Sequence, residues 1–211
     1  MTETPPRAHR LQVSRSARCF ALGGEAAREA WVLLHGYGRL AARFLGFFRP
    51  LASPERLLVA PEALSRFYLD GGSGKVGASW MTREDREADI ADNLAYLEQM
   101  RRDLVPAVPL TVLGFSQGVA TATRWAASTT PRPTRLIAWG SLLPDDVPPA
   151  RLAGTQVTFV VGERDDWAPP DRVEAQAVAL RFAGLTVEVL RFAGGHELDA
   201  GVVVRLGQGP P

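Results

Sequence analysis

The chain has 211 residues, 46% of them hydrophobic, and a formal net charge of +1 at pH 7. This length and composition suffice for one domain with a full core, and the balanced, scattered charge argues against nucleic acid or an anionic membrane as the main partner. Cys19 is the single cysteine, which excludes an internal disulfide framework and a metal site built from several thiolates.

The chain begins with a polar segment that contains two prolines, and we predict that residues 1–9 form a flexible tail. Residues 10–211 are predicted to form a single domain. The first residues lack the apolar core of a signal peptide, and no later apolar run approaches the length of a membrane span. We therefore expect a cytoplasmic protein without an integral membrane segment. Lys75 is the only lysine beside many arginines, a bias typical of GC-rich bacterial coding.

Strands and helices are predicted to alternate along the rest of the chain, because short apolar runs alternate with longer amphipathic segments. Predicted strands lie at 11–22 (one or two short antiparallel pieces), 30–34, 56–60, 109–113, 135–139, 156–161 and 185–192. Predicted helices lie at 39–48, 83–104 (capped by Thr82), 119–127, 170–182 and from Glu197 onward. This alternation indicates an α/β fold, with a mostly parallel central sheet and helices on both faces.

Residues 62–82 are predicted to form a long irregular loop, rich in glycine and aromatic residues. Loops of this length in compact proteins are usually functional. In a parallel sheet, binding sites lie at the carboxyl ends of the strands. We therefore look for chemistry in the loops after strands 30–34, 109–113, 156–161 and 185–192.

The strongest chemical signal is Gly114-Phe115-Ser116-Gln117-Gly118. It has the G-x-S-x-G form of a nucleophile elbow, the tight strand-to-helix turn that exposes a reactive serine. The segment lies between a predicted strand and a predicted helix, as that turn requires. The two glycines allow the backbones of strand and helix to approach closely. The sequence therefore predicts Ser116 as a nucleophile.

A serine hydroxyl at neutral pH needs a base, and the chain contains three histidines. His9 lies in the predicted tail, and His35 ends a predicted strand. His196 directly follows the last predicted strand. Hydrolases with a nucleophile elbow place serine, acid and histidine in that chain order. This order favours His196 as the base, and we assign His35 a structural role in its own loop.

The base in turn needs an acid, which holds its tautomer and stabilises the imidazolium. The turn after the strand at 156–161 contains Glu163, Asp165 and Asp166. We choose Asp165, but spacing alone leaves Asp166 open and does not remove Glu163. Acids in a turn are often simply solvated or cap the next helix.

The oxyanion of an acyl-transfer intermediate needs two backbone N–H donors. One is the amide that follows the nucleophile, which belongs to Gln117. The other comes from the loop after an earlier strand, and the segment His35-Gly36-Tyr37-Gly38 has that position. We therefore predict an oxyanion hole formed by the amides of Tyr37 and Gln117.

Together these motifs resemble the phospholipase/carboxylesterase family of α/β-hydrolases, which includes acyl-protein thioesterases and small bacterial carboxylesterases. The matching segments are 34–38, 79–81, 114–118, 162–169 and 195–197, in the family's order and across most of the chain. The resemblance implies an α/β-hydrolase fold. It also implies Ser116 as nucleophile, Asp165 as acid and His196 as base. It favours Asp165 over Asp166, because the family's acid lies four residues before the proline matched here by Pro169.

The chain departs from the family pattern at several positions. The acid motif usually reads His-Gly-Asp-x-Asp, but here Val161 and Glu163 replace its first histidine and aspartate. Val119 replaces a glycine that often follows Ser-Gln-Gly, and Arg39 replaces an aspartate that often follows the His-Gly-x-Gly loop. None of these changes removes a catalytic group. They indicate a divergent bacterial subgroup and leave the substrate class open.

A substrate pocket is predicted near the strand ends, with walls formed by apolar side chains. The candidates are Phe67, Trp80, Met81, Leu143 and Trp167. The alternative for Trp80 is that it packs beneath the following helix. The segment 71–75 loosely resembles a phosphate loop, but it lacks the required spacing, and we interpret it as the tip of a flap.

The predicted function is a serine hydrolase that cleaves carboxylic esters through an acyl-enzyme on Ser116. We expect a carboxylesterase, with thioesterase and lysophospholipase-like activity as variants of the same reaction. The expected partner is a small-molecule ester or thioester, and no cofactor or metal is expected. The length leaves little room for a large cap domain, and the oligomeric state stays open. The alternatives are a peptidase, lactonase or acyltransferase, or a non-catalytic ligand-binding protein.

Overall fold

The structure, a computed structural model, describes residues 7–208. This part of the chain contains nine strands: β1 (Cys19–Leu22), β2 (Glu29–Leu34), β3 (Arg56–Pro61), β4 (Ser65–Tyr68), β5 (Val76–Ser79), β6 (Leu110–Phe115), β7 (Arg135–Trp139), β8 (Gln156–Gly162) and β9 (Val187–Phe192). Its five α-helices are α1 (Ala41–Phe47), α2 (Arg86–Leu104), α3 (Gln117–Ser128), α4 (Pro170–Phe182) and α5 (Ala200–Gly207). Two short 3₁₀ turns lie at Arg49–Leu51 and Pro149–Leu152.

Seven strands form one sheet in the order β1-β3-β2-β6-β7-β8-β9. β1 runs antiparallel to β3, and all other neighbours in this sheet are parallel. Every residue of β6 and β7 is buried, as expected for parallel strands that are covered on both faces. The register pairs Leu34 with Gly114 and Phe115 with Trp139, so these strands end along one edge. The predicted α/β fold with a mostly parallel sheet is confirmed.

Helices cover both faces of the sheet and enclose two buried clusters. α2, α3 and α4 cover one face, where Leu97 and Trp125 belong to the core. α1 and α5 cover the other face, where Phe44 and Val203 share a cluster with Trp139. No described segment forms a large cap over the carboxyl edge of the sheet. Among residues 7–208, no helix has the length and apolar character needed to cross a membrane.

The N-terminal region forms less regular structure than the sequence predicts. Residues 7–18 are exposed and contain neither helix nor strand. Of the one or two strands predicted within 11–22, β1 alone is present, and it pairs antiparallel with β3 as expected. The predicted tail at 1–9 lies mostly outside the described residues. The single domain at 10–211 stays a prediction.

Residues 62–82 do not form an irregular loop, and that prediction is wrong. β4 and β5 pair as an antiparallel hairpin in which Tyr68 lies opposite Val76. Gly71 and Gly74 adopt φ angles of +92° and +90° in the connecting turn, a conformation that glycine adopts without steric cost. Two four-residue strands around a glycine-rich turn give a weak periodic signal, which explains the error.

Helix α2 begins three residues later than predicted, and Thr82 does not cap it. The residue before the helix is Asp85, in the left-handed conformation with φ of 48°. The Thr82 amide donates to the carboxylate of Asp89 over 3.1 Å, so the preceding residues form a turn. Asp89, in the first turn of α2, therefore holds Thr82 in the turn that precedes the helix.

Candidate active site

Ser116 lies in the sharp turn between β6 and α3. Its φ and ψ angles are 52° and −120°, a conformation that costs free energy for a residue other than glycine. The Ser116 amide donates to the carbonyl of Trp139 over 2.8 Å, which ties the turn to the neighbouring strand β7. The side chain is thereby presented at the carboxyl edge of the sheet, as a nucleophile elbow requires.

The glycines on either side of Ser116 are required by close backbone contacts. A Cβ atom on Gly118 would lie 2.3 Å from the carbonyl oxygen of Leu34. A Cβ atom on Gly114 would lie 2.5 Å from the carbonyl oxygen of Gly118. Any side chain at either position would force β2, β6 and α3 apart. The position of the serine therefore depends on backbone packing.

The structure brings Ser116, His196 and Asp165 into one chain of hydrogen bonds. The Ser116 hydroxyl lies 2.9 Å from Nε2 of His196. On the other side of the ring, Nδ1 lies 2.9 Å from Oδ2 and 3.1 Å from Oδ1 of Asp165. The three residues come from the loops that follow β6, β9 and β8, three strands that end along the same edge. This geometry allows a proton to move from the serine to the imidazole.

Asp165 alone of the three candidate carboxylates contacts His196. It is only 3% exposed, and its Oδ1 accepts backbone N–H groups from Trp167 and Ala168, each over 2.9 Å. These two bonds fix the orientation of the carboxylate. Glu163 and Asp166 are exposed. The turn therefore buries one acid against the histidine and leaves the other two in solvent.

Two residues at the carboxyl end of β7 position the loop that carries His196, and the sequence analysis missed both. The indole N–H of Trp139 donates to the carbonyl of Glu197 over 3.0 Å. Gly140 has a φ of +65°, and a Cβ atom there would lie 3.0 Å from Cε1 of His196. The sequence signal available for Trp139 and Gly140 was their position at the end of the predicted strand 135–139, because the parallel strands end along one edge of the sheet.

The loop 35–38 lies against the elbow, where an oxyanion hole would form. A Cβ atom on Gly36 would lie 2.9 Å from Phe115 and 3.3 Å from Cβ of Ser116. Gln117 is the first residue of α3, so its amide has no partner within the helix. Within residues 7–208, neither the Gln117 amide nor the Tyr37 amide donates a hydrogen bond to another protein group. Both donors are thus available to a ligand.

His35 has a structural environment and is not placed to act as a base. Its Nδ1–H donates to the carbonyl of Gly36 over 2.8 Å, and its Nε2 accepts the amide N–H of Ala63 over 3.1 Å. Both ring nitrogens are therefore occupied, and the ring must be neutral to accept. Burial lowers the pKa of His35, which favours that neutral form. His9 is exposed in the irregular N-terminal segment.

The β4–β5 hairpin is joined to the loop 35–38 through backbone contacts. The Gly38 amide donates to the carbonyl of Ala78 over 2.9 Å, and the Ala78 amide donates to the carbonyl of Arg39 over 3.2 Å. A Cβ atom on Gly77 would lie 2.5 Å from the carbonyl oxygen of Gly38. The hairpin therefore supports one wall of the site.

The Gln117 side chain joins the hairpin to the elbow, a role that sequence reasoning missed. Its Oε1 accepts the amide N–H of Trp80 over 3.0 Å, and its Nε2 donates to the carbonyl of Met81 over 2.8 Å. One residue thus supplies a backbone donor beside Ser116 and a side chain that fixes the end of β5. The sequence offered one signal for this contact: the family resemblance includes both Gln117 and the segment 79–81.

Two of the five predicted pocket residues are buried, so that prediction is wrong for them. Trp80 is 1% exposed, and its indole N–H donates to the carbonyl of His35 over 2.8 Å. Leu143 is also buried, and its amide donates to the side chain of Gln176 over 2.9 Å. The indole therefore packs beneath the loop 35–38, where its N–H finds a partner.

The other three predicted pocket residues are at least partly accessible. Trp167 is 82% exposed, and its ring centroid lies 6.1 Å from that of His196. Phe67 packs against the exposed ring of Tyr37, with centroids 5.1 Å apart. Met81 is partly buried beside the Gln117 side chain. The rim of the site is therefore aromatic and open to solvent.

Comparison with solved structures identifies the fold. The chain is similar to esterase PE8, at 22% identity and a TM-score of 0.71, over 93% of this chain and 97% of that one. It is similar to a carboxylesterase from Mesorhizobium loti, at 23% identity and a TM-score of 0.71, over 92% and 94%. It is also similar to Zea mays acyl-protein thioesterase 2, at 19% identity and a TM-score of 0.70, over 92% and 97%.

Similarity is found at the level of structure. No protein-family model matches the chain, and no curated protein sequence matches it. The solved structures carry the names that the sequence resemblance implies, and one is described as a phospholipase/carboxylesterase from Dyadobacter fermentans. Identities of this size establish a shared fold. The chain has the α/β-hydrolase fold of these esterase and thioesterase structures, in agreement with its resemblance to the phospholipase/carboxylesterase family.

Proposed function

We propose that the protein is a serine hydrolase of the phospholipase/carboxylesterase family, which cleaves carboxylic esters through an acyl-enzyme on Ser116. The observation that carries this proposal is the chain of hydrogen bonds from Asp165 through His196 to Ser116. It joins residues far apart in sequence at the carboxyl edge of the sheet. A protein that only binds ligands has no need for this arrangement.

In the first half-reaction, Oγ of Ser116 attacks the acyl carbon while Nε2 of His196 takes the hydroxyl proton. Asp165 stabilises the imidazolium that forms. Negative charge develops on the carbonyl oxygen, and the amides of Tyr37 and Gln117 bind it. His196 then gives its proton to the leaving alcohol or thiol, and the acyl group remains on the serine.

In the second half-reaction, water attacks the acyl-enzyme and gives a proton to Nε2 of His196. The same two amides bind the second oxyanion. The intermediate collapses, His196 returns the proton to Oγ of Ser116, and the carboxylic acid leaves. All proton transfers in both half-reactions pass through His196, and the protein needs no external reagent besides water.

Ester or thioester hydrolysis suits the open rim of the site better than reactions that need an enclosed chamber. Trp167 and Tyr37 are exposed beside the nucleophile, and the described chain has no cap domain. The esterase and thioesterase names of the similar structures support the same class of substrate. A peptidase, lactonase or acyltransferase would use the same residues, and a substrate panel separates these activities.

The test is hydrolysis of p-nitrophenyl esters of increasing acyl length by the wild type and the Ser116→Ala variant. We expect turnover by the wild type and a loss of at least about 10³-fold in the variant, because the nucleophile is absent. Ser14→Ala, an exposed serine in the irregular N-terminal segment, is the matched control and should retain wild-type rates. Turnover that survives Ser116→Ala would contradict the proposal.

A further inference from the structure

A groove of about 620 Å³ lies beside the candidate active site. Its walls are the residues that follow the loop 35–38, the exposed side of α1 and the turn of the β4–β5 hairpin. Leu198, two residues after His196, also lines it. The groove is open to solvent, and its volume is in the range of small-molecule sites.

The charged side chains that line this groove are all basic. They are Arg39, Arg43 and Lys75, and no aspartate or glutamate lines it. Lys75 is also the only lysine of the chain. Asp70 and Glu197 neighbour lining residues in sequence but are not part of the wall. Three cations without a carboxylate among them favour a ligand with negative charge.

Arg39 is exposed to solvent, and it differs from three arginines of the described chain that bind carboxylates. Arg18, Arg56 and Arg124 each bind a carboxylate: Glu62, Glu29 and Asp146, respectively. Within residues 7–208, Arg39 forms no ion pair, and its guanidinium instead lies 4.6 Å from the centroid of the Phe115 ring. Desolvation lowers the pKa of Arg39, although a guanidinium keeps its proton at neutral pH.

The position of Arg39 connects the groove to the reacting atoms. The Phe115 ring under its guanidinium lies 5.2 Å from the ring of His196, centroid to centroid. The guanidinium carbon is therefore no more than about 10 Å from the centre of the imidazole. A substrate bound at Ser116 reaches Arg39 with a short aliphatic or aromatic segment.

The remaining walls of the groove suit that connecting segment, because they are apolar. Phe47 and Leu69 are partly or largely exposed in it, and Phe44 and Val76 lie beside them. A ligand that matches this surface has an apolar body and one anionic end. Such a ligand buries apolar area along the groove and pairs its charge with the guanidinium groups.

We propose that this groove binds the distal end of an ester substrate that carries a carboxylate or a phosphate, with Arg39, Arg43 and Lys75 as the residues that recognise the charge. The proposal rests on the proposed function, because the substrate must also reach Ser116. It assigns specificity to the position where the family resemblance expects an aspartate and the chain has Arg39. An aspartate there would repel the same ligand.

The first test compares mono-p-nitrophenyl suberate with p-nitrophenyl octanoate, which have the same acyl length and differ in a terminal carboxylate. A second pair, 4-butyryloxybenzoate and phenyl butyrate, places the charge on the alcohol. We expect the wild type to prefer the anionic member of one pair by at least about tenfold in kcat/KM. Arg39→Met, which keeps the apolar stem, should abolish that preference. Arg172→Met, an exposed arginine of α4, should retain it.

A second test does not need turnover and covers the phosphate. We expect octyl phosphate to bind to the Ser116→Ala protein in titration calorimetry, with affinity that falls at high salt. The additional change Arg39→Met should weaken this binding at least about tenfold. Hydrolysis of the neutral esters without a preference for charge, together with no binding of octyl phosphate, would overturn the groove proposal and leave the serine hydrolase intact. Binding of octyl phosphate without hydrolysis of any ester would support the groove and contradict the proposed function.

Discussion

The two sides of the candidate active site are built by different means. On one side, Ser116, Asp165 and His196 lie at the ends of parallel strands and are fixed by backbone contacts that leave no room for a Cβ atom. On the other side, the turn of the β4–β5 hairpin and the charged side chains of the groove are exposed, and a few hydrogen bonds join the end of the hairpin to the elbow. The comparison teaches that the sheet fixes the residues proposed to react, whereas the groove proposed to select a substrate is lined by exposed side chains.

The largest expected effect separates two adjacent carboxylates on the first side. Asp165→Asn should lower kcat about 10³- to 10⁴-fold, because the amide no longer holds the tautomer and does not stabilise the imidazolium. Asp166→Asn is the matched control, since that side chain is exposed, and it should change kcat less than about threefold. Steady-state kinetics on a short p-nitrophenyl ester measures both. Equal effects of the two substitutions would contradict the role proposed for Asp165.

The next effect tests how strictly backbone packing fixes the elbow. Gly118→Ala places a Cβ atom 2.3 Å from the carbonyl of Leu34, and it should lower the free energy of unfolding by at least about 2 kcal/mol. The folded fraction should also lose activity, because Ser116 moves. Gly46→Ala in α1 meets no atom within 4 Å and should leave stability equal or raised by about 0.5 kcal/mol. Urea unfolding measures both, and a fully stable Gly118→Ala protein would refute the packing argument.

A smaller effect tests whether the hairpin tunes substrate choice. Gln117→Ala keeps the backbone donor but leaves the Trp80 amide unpaired, and should cost about 1 to 2 kcal/mol of stability. Gln176→Ala is the control, because it removes two similar bonds to Leu143 outside the hairpin. Both variants should be destabilised to a similar extent. Gln117→Ala alone should shift the acyl-length optimum, and an unchanged optimum would contradict a link between hairpin and specificity.

The smallest effect concerns the pH dependence of stability. The folded-state pKa of His35 is lowered from 6.5 by burial, so the unfolded chain binds a proton first as the pH falls. The contribution of His35 is fully present above pH 6.5 and is lost as the pH falls through the folded-state pKa. As the pH falls below 6.5, the urea midpoint of the wild type should decline more steeply than that of His35→Gln. His9→Gln should match the wild type, and equal slopes for all three proteins would contradict the argument.

The first side of the candidate active site was predictable from sequence, because its signals are local. A glycine on each side of Ser116 indicated the elbow, and the ends of predicted strands indicated the loops of Asp165 and His196. The parallel sheet followed from the alternation of buried strands and helices, and the structure confirms it. Chain order and residue type indicated Ser116 and His196, since the ends of parallel strands meet at one edge, whereas the choice of Asp165 over Asp166 came from the family resemblance.

The second side was less predictable, because it depends on contacts between distant segments. Trp80 was placed in the pocket, since its sequence neighbours do not reveal that the His35 carbonyl accepts its indole N–H. The hairpin was taken for a loop, because its strands have only four residues each. The groove joins residues of α1 to Lys75, and only the folded chain shows that no carboxylate lies between them.

The most direct test of the central claim is covalent labelling with a fluorophosphonate, followed by intact mass and peptide mapping. The reagent reports whether a serine is activated by its neighbours, and it does not depend on the natural substrate. We predict one adduct on Ser116 in the folded wild type and none in the Ser116→Ala or His196→Ala proteins. A folded wild-type protein that stays unlabelled, or an adduct that persists in Ser116→Ala, would contradict the account.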